Sequence, residues 1–251
     1  MTKSVKNNLI CLFCGFLVAV VIYITAYFTC NNEYVLPSPL KILEKFFQTL
    51  LSLSFYKALF STLLRVVIAF IISFILGAIF GVLAYRYKWF SGVFGVIVGL
   101  LRSLPVLAVL LIILLFTNRS FAPVVVCFLS LFPIIYTAVY TSLKGVPNDL
   151  KIMCTVYKIP VKKQVFSMYI PQILPKILLD AGGAFSFGIK LIVSAEILAN
   201  VYGSVGGILQ EASIYTLTSD LFALTLIVCI LGVLVEFMAK LLSEKAEKRL
   251  V

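Results

Sequence analysis

Between Ala58 and Tyr85 the chain reads ALFSTLLRVVIAFIISFILGAIFGVLAY, an apolar run broken by one charge, Arg65. A helix rises about 1.5 Å per residue, so about 20 apolar residues cross the roughly 30 Å hydrocarbon layer of a bilayer. In that layer backbone N–H and C=O groups have no water to bond, and a helix satisfies them internally. Similar runs recur, and they read as six membrane-spanning helices at about 9–27, 58–85, 93–116, 121–143, 177–199 and 221–242. The fold class that follows is all-α: a polytopic membrane protein forming one transmembrane domain over 1–251. Only 12% of the residues are charged, which leaves too little polar surface for a soluble domain.

The net charge of +11 would suggest nucleic acid in a soluble chain. Alternating spans explain it differently. One side of the membrane receives fourteen lysines and arginines, including Lys3, Lys6, Arg86, Lys88, Lys144 and Lys245. The other side receives Lys41, Lys45, Lys57 and Arg119. The richer side is then cytoplasmic, with both termini. Topology accounts for the charge, so no nucleic-acid partner is implied, and the loop charge carries no information about a solute.

Lys3 and Lys6, an apolar run and Cys30 invite comparison with a lipoprotein signal. The run is long for one, and Phe28-Thr29 lacks the small residues of a cleavage site, so an uncleaved first span is expected. Cys11 and Cys14 have CxxC spacing but lie in an apolar run, where cysteine packs as a small hydrophobe. The chain has no histidine, which removes the commonest metal ligand and general base. Pro39 opens an amphipathic helix with Leu40, Leu43, Phe47, Leu50 and Leu51 on its apolar positions, suited to a membrane surface. Gly77 and Gly81 have the GxxxG spacing of closely approaching helices, or reflect the general frequency of glycine in membrane spans. Pro105 predicts a kink in the third span about one turn earlier, and Pro133 lies inside the fourth.

The segment 144–176 is polar, basic and punctuated by Pro160, Pro171 and Pro175. Leu150, Met153, Cys154 and Tyr157 fall at helical spacing, as do Val161, Val165, Met168 and Tyr169. Two short amphipathic helices are expected, joined at a corner by Pro160, with Pro171 and Pro175 ending the second and turning the chain into the fifth span. So short a pair has no core of its own. Its apolar faces need a lipid surface, the chain's own spans or the groove of another protein.

Charges at membrane depth are costly and face cavities or partners. Arg65, Lys190 and Glu196 are candidates for a pathway or for structural ion pairs. Lys190 and Glu196 stand six residues apart and do not meet on one helix. Arg102, beside the third-span kink, either joins them or snorkels to the cytoplasmic headgroups. A phosphate-binding loop needs a glycine-rich turn ending in lysine and a hydroxyl residue. Gly183 to Gly188, followed by Ile189 and Lys190, lacks that ending, and no nucleophile–base or metal set stands out. An ion-coupled secondary transporter would need midplane carboxylates and repeated halves. Glu196 is the one deep acid apparent, and no repeat is visible. An intramembrane enzyme is still less favoured.

The segment Asn148–Pro175 resembles the cytoplasmic EAA loop of ABC-importer permeases. With Pro171 and Pro175 at the family's closing prolines, Ile152-Met153-Cys154 stands at its Glu-Ala-Ala and Lys158 at its glycine. LPSPLKIL, LRSLPVLAVL, FPIIYTAVYTSLKGVPNDL and FGIKLIVSAEILA are similar to parts of the nitrate/sulfonate/taurine subfamily of the MetI-like type. The resemblance implies the non-catalytic membrane subunit of an importer in a bacterial plasma membrane. It implies an ABC ATP-binding subunit, an extracytoplasmic solute-binding protein and a second permease copy as partners, with lipid around the spans. It implies no cofactor in this chain, since the ATPase subunit binds ATP and Mg. Met153, Cys154, Thr155, Tyr157, Lys158 and Ile159 would be the contact set of a coupling helix. Sulfonates, nitrate and pyrimidine precursors are solutes of relatives.

Overall fold

The computed structural model describes Val18, 21–29 and 35–250. The expected first span, 9–27, lies largely outside the described residues; its 21–27 portion is helical and belongs to α1, described over 21–29. Tyr23 of α1 donates a hydrogen bond to Pro37 O at 2.7 Å and packs edge-on against Phe222.

Ser38 caps α2, Pro39–Leu51, accepting a bond from Lys41 N. Ile42 is buried, and Phe46 and Leu50 pack on the main core. Leu40, Leu43, Phe47 and Leu51 stay exposed on the other side, as expected from sequence, whereas Leu50, expected among them, packs on the core. Ser52 breaks the chain before α3, Leu53–Arg86.

Helix α3 packs on α6, Ala122–Lys144, at Gly77 and Gly81. A Cβ on Gly77 would stand 2.9 Å from Ile135 Cγ2, and one on Gly81 3.0 Å from Val139 Cβ. These glycines set the helix separation, which decides the GxxxG question in favour of close approach. The core seam then runs through Val66, Cys127, Leu131, Ile135 and Ile192.

The third span is not kinked but broken. Helices α4, Lys88–Ser103, and α5, Val106–Phe116, meet at 92°. Pro105 pushes the residue before it out of the helical region, and Leu104 and Pro105 are both extended. Two extended residues in succession leave no hydrogen bond across the joint.

Residues 145–160 form a short connection containing α7, Asn148–Val156. Helix α8, Val161–Gln164, a π turn, Val165–Tyr169, and α9, Ile170–Ala199, then run on as one candidate span. This corrects the expectation that Pro171 and Pro175 end a loop helix. Pro171 sits in the first turn of α9, where a missing N–H costs least, and the widened π turn lies just before it. Pro175 lies within α9, its carbonyl accepting from Ser243 Oγ at 2.7 Å. The connection 200–220 contains α10, Val205–Ile214, and α11, Thr218–Leu250, completes the bundle. Among the described residues α3, α6, α8–α9 and α11 are long and apolar enough to span a membrane, and α4–α5 together make a fifth.

Candidate functional site

At the basic end of the bundle, where Arg86 and Lys144 close α3 and α6, α7 is held down on one side. Cys154 is buried against Met168, sulfur to sulfur at 3.4 Å, with Val146, Leu150, Ile159 and Ile173 around them. Tyr85 at the end of α3 meets Tyr169 at 3.2 Å between hydroxyls, and Lys151 lies over the Tyr85 ring. The other side of α7 is bare: Ile152, Met153, Val156 and Tyr157 are exposed apolar side chains, and Thr155 and Lys158 are exposed beside them. Of the expected contact set, therefore, Cys154 and Ile159 point into the chain itself.

The corner after α7 is turned by Lys158, with φ +47°. Ile159 N bonds back to Cys154 O and Lys158 N to Thr155 O, the paired closure of a helix whose C′ residue is left-handed. This corrects the assignment of the corner to Pro160, whose ring locks φ near −65°. Pro160 instead caps α8.

Along α9, Lys176, Asp180, Gly183, Phe187, Lys190 and Ser194 repeat at steps of three and four, all within roughly 40° of one line at about 100° per residue. Asp180 is half-buried and the other five are exposed, while Ala184, Gly188, Ile189, Leu191, Ile192 and Val193 between them are buried. The basic half of this stripe and the Thr137–Thr141 face of α6 enclose a groove of about 470 Å³. Arg102 reaches into it from the end of α4. Its Nη2 donates to Thr137 Oγ1 at 2.7 Å and to Pro133 O at 3.3 Å. Thr137 stands seven residues, about 10 Å of helix rise, from Lys144. The guanidinium thus reaches the groove along α6, although the Arg102 side chain remains exposed. Farther along, Lys190 approaches Glu236 of α11 at 3.9 Å, both half-exposed.

At the opposite end Glu196 is fully buried, with Oε1 2.8 Å from Arg65 Nη1. Its Oε2 accepts from Thr62 Oγ1 at 2.9 Å and from Gly206 N at 3.1 Å, in the first turn of α10. Thr62 Oγ1 in turn accepts from Val205 N. Arg65 continues to Ser120, between α5 and α6, through Nε and Nη2. A carboxylate at a helix N-terminus is favoured by the helix dipole, and a Cβ at Gly206 would overlap Glu196 Cβ. Arg65 and Glu196, left open between pathway and ion pair, thus form an ion pair that ties four chain segments around a buried carboxylate. Among the described residues no three metal-ligating side chains come together.

Residues 73–248 match the family model described as the binding-protein-dependent transport system inner membrane component. The chain belongs to that family. It is a permease subunit of ABC importers, a non-catalytic, multi-pass inner-membrane component. It is 29% identical over 217 residues to the putative aliphatic sulfonates transport permease protein SsuC of Bacillus subtilis (strain 168), covering 85% of this chain and 78% of the relative. In fold it is similar to a chain of the inward-facing MetNI methionine ABC transporter, at 20% identity and TM-score 0.64, covering 77% of this chain and 96% of that one. A chain of an amino acid ABC transporter gives 16% identity and TM-score 0.62, covering 78% and 94%.

As importer permeases work with ATP-hydrolysing and solute-binding partners, two surfaces of this permease matter, the bare face of α7 and the polar stripe of α9. Of the expected charges, Arg102 and Lys190 reach the groove or the stripe, and Arg65 and Glu196 do not. Sequence reasoning missed Lys176, Asp180 and Glu236. The three-and-four spacing from Lys176 to Ser194 was a readable signal, hidden by starting the fifth span after Pro175.

Proposed function

We propose that this permease, as two copies, forms the translocation path of its importer, with its basic end in the cytoplasm. In this reading α7 is the coupling helix. Ile152, Met153, Val156 and Tyr157 sit in a groove on the ATP-binding subunit, flanked by Thr155 and Lys158. Cys154 and Ile159 anchor the helix to α9, so that motion of the partner is carried into the helix bearing the polar stripe. ATP and Mg are held by the ATPase subunit. A binding protein delivers the solute at the end marked by α10, and the stripe with Arg102 and Lys190 lines the way through. The solute is a small organic or inorganic molecule, and the sulfonate class of the Bacillus relative supports a sulfonate over nitrate or a pyrimidine precursor.

The observation that carries the reading is the two-sidedness of α7, packed at Cys154 and bare at Met153, on a loop whose corner residue, Lys158, is left-handed and stands at the glycine of the EAA-loop pattern that the segment resembles. The test is capture of the co-expressed ATPase subunit by Met153→Asp and by Lys162→Ala. A charge forced into a docking groove goes unpaired, so Met153→Asp should lose the ATPase and Lys162→Ala should keep it. Equal capture by Met153→Asp and wild type removes α7 from the interface.

A further inference from the structure

The groove between α6 and α9 carries three charges, Arg102, Lys176 and Asp180, none in an ion pair among the described residues. Lys176 and Asp180 stand one turn apart on α9, so the groove holds two cations against one carboxylate, a net charge of +1. Of the two cations, Arg102 is the one fixed in place by hydrogen bonds to the groove wall. Its Nη2 is spent on Thr137 and Pro133, and its Nε and Nη1 have no partner among the described residues. A guanidinium without a counter-ion in a membrane-spanning bundle is costly, and such groups mark substrate or ion paths. The space of about 470 Å³ suits a small solute, and Thr137 and Thr141 add hydroxyls to its wall.

We infer that this groove is a selectivity site of the permease itself, in which Arg102 binds the anionic group of a small monoanion, sulfonate or carboxylate. Thr137 is a positioning residue, since its hydroxyl accepts from Nη2 and holds the guanidinium against the groove wall. The inference rests on the α9 stripe being the translocation path. It adds that discrimination by charge continues inside the membrane after the binding protein has released its cargo.

The experiment uses the permease with its ATPase subunit in nanodiscs of phosphatidylcholine alone, so that no anionic lipid competes. Retention of radiolabelled ethanesulfonate, propionate and propylammonium is measured by equilibrium binding. Saturable retention of both anions, each displacing the other, with none of the amine, is the expected result. Retention of ethanesulfonate alone also supports the site and narrows its anion. Arg102→Gln should weaken anion binding about tenfold or more, and Arg102→Lys and Thr137→Val about threefold each, as charge-assisted, geometrically fitted hydrogen bonds are lost or blunted. If Arg102→Gln fails to assemble, Arg102→Lys and Thr137→Val carry the same test. Wild-type affinity in these variants overturns the inference, as does a wild-type complex that binds no anion or binds the amine equally. Failure of the wild-type permease to hold its ATPase would instead overturn the functional reading above, so the two failures are distinguishable.

Discussion

Arg65 Nη1 and Glu196 Oε1 lie 2.8 Å apart, although 131 residues separate them in the chain. The carboxylate is wholly buried, and its remaining oxygen takes bonds from Thr62 and Gly206. Removing one member of such a pair leaves the other charged and unmatched. Glu196→Ala should therefore cost about 3–5 kcal/mol, whereas replacing both by methionine should cost much less than the two single changes added. Melting of the detergent-extracted permease measures both. Equal and additive losses would show that the charges do not depend on one another.

Lys158 stands at C′ of α7 in the left-handed region. That conformation costs a residue with a Cβ about 1–2 kcal/mol, and a β-branched residue more. Lys158→Gly should slow amide hydrogen exchange across 150–160, and Lys158→Val should speed it. Neither change removes an apolar contact, so an effect in the reverse order would mean that the corner is not where the structure puts it.

Much of this architecture is legible in the sequence because the hydrophobic requirement of a span is a simple matter of length. The runs at 58–85 and 121–143 appear as α3 and α6 within a few residues of the expected ends. Proline was the misleading signal. Pro105 was read as a kink because single prolines bend membrane helices, but Leu104 extends with it and the helix parts. Pro171 and Pro175 were read as breakers, but one falls in a first turn behind a π turn and the other is tolerated inside α9. That misplaced start cut Lys176 from the stripe that ends at Ser194. The pairing of Arg65 with Glu196 depends on how three helices pack, and no local pattern encodes it.

The α3–α6 seam is expected to be the least forgiving part of the core. Gly77 has Ile135 Cγ2 and Tyr136 N within 3.0 Å of where a Cβ would stand, and a backbone atom cannot move aside as a side-chain tip can. Overpacking of this kind costs about 1–3 kcal/mol. Gly77→Ala should lower the melting temperature, and Gly77→Val should lower the monodisperse yield on extraction. Gly92→Ala, with nothing near it, should leave both unchanged.

The last expectation concerns which way the bundle faces, because the docking and delivery surfaces exchange roles if it is inverted. The charge asymmetry puts Lys162 in the cytoplasm and the turn before α10 outside. Both positions are suited to labelling, since Lys162 is exposed and Tyr202 is 76% exposed. Cys154 is a poor reporter in comparison, being buried against Met168. In a background with the native cysteines replaced, Tyr202→Cys should react with a membrane-impermeant maleimide on intact cells. Lys162→Cys should react only after the membrane is opened. The reverse pattern would place α7 outside, where no ATP-hydrolysing subunit could reach Met153, and the coupling role would fall with it. Cys154, restored alone, should stay unmodified in both conditions until the protein is unfolded. Early reaction there would mean that α7 lifts from α9 in the resting permease, which would break the mechanical link on which the coupling depends.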